Sequence, residues 1–216
     1  MASRGKPAER SVPRLYLVTP QDLSGVAELL SQALDAADIA AVLVRLPGGE
    51  ESQKVSHLKA LAGAVQDKGA ALLLDGRPDL AARTGADGAH LDGVDHFKAA
   101  LSILKPERIA GCGGLASRHD AMVVGEAGAD YVMFGEPSSA GVRPALDAVS
   151  ERVAWWAELF EIPCVGFAGS LDEVEPLAAA GADFVALGDC VFADSRGCAA
   201  AVADAARRLG TAGAPV

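Results

Sequence analysis

Two apolar runs in the segment from Leu72 to Gly93, LLLDGRPDLAARTGADGAHLDG, end in groups that can carry charge. Asp75 and Arg77 follow the first, His90 and Asp92 end the second, and Asp95 lies just beyond. Such carboxylates could hold a divalent cation, the guanidinium an anion, and the imidazole a proton. Elsewhere Arg45 closes another apolar run, and Arg143 ends the loop segment GEPSSAGVR together with Gly135, Glu136, Ser138 and Ser139. Glu136, just before Pro137, reads either as a solvated loop carboxylate or as a proton carrier, the latter requiring surroundings that raise its pKa.

The elements that position these residues are announced by a repeat. Gly-Ala-Asp begins at Gly85, Gly128 and Gly181, each time after an Ala-rich helical stretch and before an apolar strand. Gly supplies a left-handed helix cap and Asp closes a short loop into the sheet. Further apolar runs at 14–18, 40–45, 71–74, 108–111 and 162–167 bring the strands to eight. Helical spacing is expected over 21–36, 51–68, 79–84, 96–103, 116–127, 144–159, 171–180 and 194–209. Eight strands alternating with eight helices, the strands apolar on both faces, predict an α/β chain folded as a single-domain (β/α)₈ TIM barrel. An open doubly wound sheet is the alternative.

In such a barrel the active site lies at the carboxyl ends of the strands. The exits of strands 7 and 8 offer Gly169 and Ser170, then Gly188 and Asp189, where backbone N–H groups could cradle a phosphate. Ser170 with Glu173 equally matches a helix capping box, and the Asp189 carboxylate opposes an anion unless it points away.

The chain has 216 residues, half of them apolar but only 5% aromatic. Its 19 basic and 29 acidic residues give a net charge of -10, which disfavours nucleic acid and anionic membranes as partners. Four cysteines without a CxxC pair suit reduced thiols, and no secretory signal is evident, so a cytoplasmic protein is expected. Residues 1–12 and 211–216 read as tails around a barrel spanning 13–210. His57, His96 and His119 read as surface residues, Trp155 and Trp156 as helix packing, Asp79 and Asp87 as cap and loop carboxylates, and Cys112 as placed to enter the mouth.

These motifs resemble the thiamine phosphate synthase and TenI-like barrels. RLYLVT, DGRPDLAARTGADGAHL, GADYVMFGEP and GADFVALGDCVF carry the resemblance, over about residues 14–195. It implies binding of a small phosphorylated heterocycle, a thiazole or pyrimidine precursor of thiamine. If active as a synthase, the protein would join an aminopyrimidine pyrophosphate to a thiazole phosphate using Mg²⁺. Arg45, Arg77 and Arg143 would then hold the diphosphate, Asp75 and Asp95 the metal, His90 the pyrimidine, and Gly169, Ser170 and Gly188 the thiazole phosphate. Several family residues are replaced: Leu43 and Pro47 stand for Gln and Lys, Gly76 for a metal Asp, Gly113 and Leu115 for Ser and His. Glu136 stands where TenI-like members carry a His. The alternatives are a non-catalytic ligand-binding barrel and a thiazole tautomerase-like enzyme; a homo-oligomer is compatible with either.

Overall fold

The computed structural model describes residues 12–46, 50–138 and 140–212; most of the expected tails, Pro47 and Ser139 lie outside the described residues. Eight parallel strands, β1 (Arg14–Val18), β2 (Ile39–Val44), β3 (Ala71–Asp75), β4 (Gly88–Asp92), β5 (Ile109–Gly113), β6 (Tyr131–Phe134), β7 (Cys164–Ala168) and β8 (Phe184–Leu187), pair in sequence order. β8 pairs with β1, so the barrel closes and the open sheet is excluded. Helices α1 (Val26–Ala36), α2 (Glu51–Gln66), α3 (Pro78–Thr84), α4 (Val94–Leu104), α5 (Arg118–Glu126), α6 (Leu146–Leu159), α7 (Val174–Ala179), α8 (Asp189–Phe192) and α9 (Cys198–Ala212) connect and cover the strands. No described helix is long and apolar enough to cross a membrane.

The repeated Asp does more than close a loop. Asp87, Asp130 and Asp183 each accept a hydrogen bond from a backbone N–H on the preceding strand, of Leu72, Ala110 and Cys164 at 2.7, 2.6 and 2.8 Å. The glycines before them, Gly85, Gly128 and Gly181, have φ of 78°, 98° and 100°, where a side chain would be strained. One three-residue signal thus ends a helix and ties the next strand to its neighbour.

Some boundaries move for local reasons. Asp22 accepts from the Ser24 N–H and Gly25 is left-handed, so α1 starts five residues later than 21. Asp194 likewise accepts from Arg196 in a turn, delaying α9 to Cys198, and α9 continues to Ala212, into the segment expected as tail. The four-residue α8 was not expected.

Strand alternation sorts side chains between two cores. Tyr16, Val18, Leu43, Leu73, Tyr131, Met133, Val165 and Phe167 fill the barrel, whereas Leu17, Val42, Leu72, Ala89 and Cys112 meet the helices. Cys112 therefore does not enter the mouth. It is buried, its thiol faces the Gly93 carbonyl at 3.7 Å, and burial first, with the Glu136 charge next, pushes its pKa to about 12.

Candidate active site

The same alternation decides which strand-end groups meet. Asp75 pairs in register with His90, His90 with Gly111, and Asp92 with Gly113. Asp75 and His90 thereby face the barrel axis, and the replacement at Gly76 leaves a carboxylate in the site because its neighbour faces inward. His90 is 2% exposed; its ring stacks on Tyr131 and Nδ1 lies 2.8 Å from the Tyr131 hydroxyl.

Glu136 reaches back over the end of β5. Its Oε1 is 3.2 Å from His90 Nε2, and the Gly114 N–H donates to its carboxylate. The side chain is 18% exposed, which overturns its reading as a solvated loop residue. A Cβ on Gly113 would overlap Glu136 Oε2 and come within 2.7 Å of His90 Nε2. Glu136 can take this place only because residue 113 has no side chain.

Charge in this pocket is unevenly shared. Burial raises the Asp75 pKa, with the charges of Glu136 and Asp92 adding to that and those of His90 and Arg45 opposing it. Burial also opposes a charged His90, but Glu136, Asp75 and Asp92 outweigh it and the imidazole pKa is raised. For Glu136, burial alone would raise the pKa; His90, Arg45 and the Gly114 N–H outweigh it and hold it low. This corrects the expectation that Glu136 needs a raised pKa: its pKa is lowered, and it is Asp75 whose pKa is raised. Pairs of acids driven apart in this way define donor and acceptor roles.

The arginines separate. Arg45 directly follows β2, its backbone N–H donating to the buried Thr19 hydroxyl at 3.0 Å, and its charge acts on Asp75 and Glu136. Arg77 turns to Asp79, which accepts two bonds at 2.7 and 2.8 Å, and to Glu51 at 3.6 Å. Arg143 is held inside the wall. It donates to the Gly135 carbonyl at 3.0 Å, the Phe167 carbonyl at 2.7 Å and both Glu173 oxygens. Neither Arg77 nor Arg143 is left unpaired for a diphosphate.

Glu173 also accepts from the Gly169 N–H at 2.8 Å, so a carboxylate already sits on an amide of the expected phosphate cradle. The expected capping box is not formed: Ser170 makes no side-chain cap bond. The box occurs instead at Ser117 and Asp120. Gly188 is buried against Phe167, and Asp189 opens α8 exposed. The Ser138 hydroxyl accepts from the Val142 N–H and stays within its own loop. His57, His96 and His119 are exposed, Trp156 stacks on Phe160 beneath α6, and Arg118 lies over Trp155. Tyr131 and Glu173 were not singled out as site residues, because both act on partners distant in sequence.

Asp75 and Asp95 do not form a pair. The charged groups acting on Asp75 are His90, Glu136, Arg45 and Asp92, while Asp95 is exposed in the first turn of α4. Among the described residues no group of three or more His, Cys, Asp or Glu could hold a metal ion. Mg²⁺ favours carboxylates and phosphate oxygens, and the expected pair of Asp75 and Asp95 is not brought together for it, while Glu136 is engaged by an imidazole.

A test of the packing argument is Gly113→Ser, which restores a side chain at the end of β5. It should expel Glu136 from its place, lowering the His90 pKa toward or below the ordinary imidazole value, as read by NMR titration. An unchanged His90 titration would refute the coupling.

Comparison with known proteins agrees with this architecture. A family model described as thiamine monophosphate synthase matches residues 15–191. A thiamine-phosphate synthase of Rhodospirillum centenum is 42% identical over 196 residues, covering 88% of this chain and 95% of that protein. One from Erythrobacter litoralis is 36% identical, covering 91% of this chain and 97% of the relative. The structure of a thiamine phosphate pyrophosphorylase from Pyrococcus furiosus superposes with a TM-score of 0.80 at 22% identity, over 94% of this chain and 98% of that one. The closed barrel, the strand-end motifs and the near-complete coverage together mean that this chain belongs to the thiamine monophosphate synthase family.

Proposed function

We propose that the barrel mouth binds a phosphorylated thiazole precursor of thiamine and moves a proton on its ring, a thiazole tautomerase-like reaction. The observation that carries this reading is the buried Glu136–His90 contact at 3.2 Å with Asp75 beside it. Glu136 takes a proton from the ring; His90, held between Glu136 and Tyr131, stabilises that carboxylate and sets its direction; Asp75, the carboxyl whose pKa burial raises, returns one at a second ring atom. Tautomerisation needs these two transfers and no leaving group. Arg45 supplies positive charge for the ligand's anionic group. Four free cysteines suit a reducing, cytoplasmic setting.

Condensation to thiamine phosphate is the second reading, and it is favoured by relatives of that name aligned over nearly their whole length. It demands diphosphate cations and metal carboxylates, whereas Arg77 and Arg143 are paired and Asp95 stands apart.

Purified protein given a thiazole carboxylate phosphate in D₂O should interconvert its tautomers, seen by ¹H NMR. With aminopyrimidine pyrophosphate, thiazole phosphate and Mg²⁺, it should form little thiamine phosphate. Efficient thiamine phosphate formation without tautomer conversion would reverse the order of the two readings. Saturable binding without either reaction would leave a ligand-binding barrel.

A further inference from the structure

Beneath the mouth, the barrel interior is not packed to its base. A cavity of about 280 Å³ opens at the amino-terminal ends of the strands. Ala41, Ala71 and Ile109 wall it, and the exposed Arg14 and Asp130 give it a charged rim. A water takes about 30 Å³ of liquid, so several fit, and Tyr16 and Tyr131 supply polar partners.

Those two tyrosines are also the lower end of a continuous chain of polar atoms. The Tyr16 hydroxyl lies 2.9 Å from that of Tyr131, which lies 2.8 Å from His90 Nδ1. On the other side of the ring, Nε2 lies 3.2 Å from Glu136 Oε1 and has no aligned hydrogen bond among the described residues. The chain has been given room: a Cβ on Gly111 would overlap the Tyr131 ring, as one on Gly113 would overlap Glu136. Both phenols are buried, and an apolar pair would fill the same space without any polar group to satisfy.

We propose that His90, Tyr131 and Tyr16 form a proton path along the barrel axis, started by proton uptake at Glu136, with the basal cavity as its water-filled outlet. It rests on the reading of Glu136 and His90 as the proton-handling pair. Taking a proton from the ring removes the Glu136 charge that favours a protonated His90. His90 then releases its Nδ1 proton to the Tyr131 oxygen as Tyr131 passes its own to Tyr16 and Tyr16 gives its own to a cavity water. Each bond broken is matched by one formed, both phenols end neutral, and the hydronium left in the cavity is lost to bulk solvent. Burial keeps both phenols from ionising on their own, so the transfers are concerted. Asp75, Asp92 and Arg45 are the other charged groups acting around His90 and Glu136, and Cys112 is the neighbouring thiol. The path lets the mouth shed a proton to the opposite face while a ligand covers it.

The test is solvent exchange of the His90 ring protons, followed by ¹⁵N-edited NMR on the full chain. Tyr16→Phe cuts the path while leaving the Tyr131–His90 bond, and Ala71→Leu fills the cavity while leaving every hydroxyl. Both should slow exchange several-fold with His90 ¹⁵N shifts unchanged in Ala71→Leu. Exchange as fast as in the parent protein in both variants would overturn the path. Should Ala71→Leu fail to fold, Tyr16→Phe, which removes one oxygen, decides alone. Slowed exchange in a protein without tautomer conversion keeps the path and removes the proposed reaction; conversion with unaltered exchange does the reverse.

Discussion

Glu136→Gln should cut turnover on the thiazole substrate by about 10²–10⁴-fold, the usual contribution of a positioned general base, with the fold intact. The amide has the shape of the carboxylate and still fills the space over Gly113, so packing is kept while the charge is lost. The His90 pKa should fall at the same time, since Glu136 is the largest influence raising it against burial. In the parent protein His90 is raised, so its share of stability is fully present below the imidazole's unfolded pKa and is lost as pH rises through the folded value. Glu136 is lowered, so its share is present above its unfolded pKa and is lost as pH falls through the folded value. The ion pair therefore exists between a depressed acidic limb and an elevated basic one, and turnover should follow that window. In Glu136→Gln the acidic limb should vanish and the stability change at the basic limb should move to lower pH. Kinetics with NMR titration of His90 check both; turnover within a few-fold of the parent would remove Glu136 from the chemistry.

Arg143→Ala should act on stability rather than on substrate affinity. The Arg143 and Glu173 side chains are 18% and 19% exposed, and the guanidinium links the exits of β6 and β7 through two carbonyls as well as the carboxylate. Removing one member of a buried pair costs about 3–5 kcal/mol, and partial exposure reduces this to roughly 2–3 kcal/mol here. In a chain of this size that lowers Tm by about 4–12 °C. The double variant Arg143→Ala, Glu173→Ala should be more stable than Arg143→Ala alone, because no uncompensated carboxylate remains. Glu173→Ala alone should bind inorganic phosphate more tightly than the parent, since the Gly169 N–H is released and a negative charge leaves the cradle. Thermal unfolding and calorimetry measure these effects. A normal Tm for Arg143→Ala with a large rise in KM would instead make Arg143 a diphosphate ligand.

The barrel was legible in the chain because its signals are local. A Gly-Ala-Asp triplet ends a helix through one left-handed residue and starts a strand through one carboxylate, and apolar runs of four to six residues mark strands covered on both sides. Strand-end position likewise brought Asp75, His90 and Arg45 under suspicion from sequence alone. Closure of the sheet was not local: it needs the β8–β1 pairing across the whole chain.

What the amino-acid sequence determined by itself is the family, the number and order of strands, and the set of charged residues at the strand exits. Only the tertiary structure decided what those residues do, because a side chain's charge and freedom depend on partners brought from far along the chain. Arg143 and Glu173 are 30 residues apart, His90 and Tyr131 are 41 apart, and Glu136 fits only over a glycine on another strand. Those contacts pair one expected phosphate ligand with a carboxylate, bury a loop glutamate, and shift in opposite directions the pKa values of two carboxyl groups that look alike in sequence.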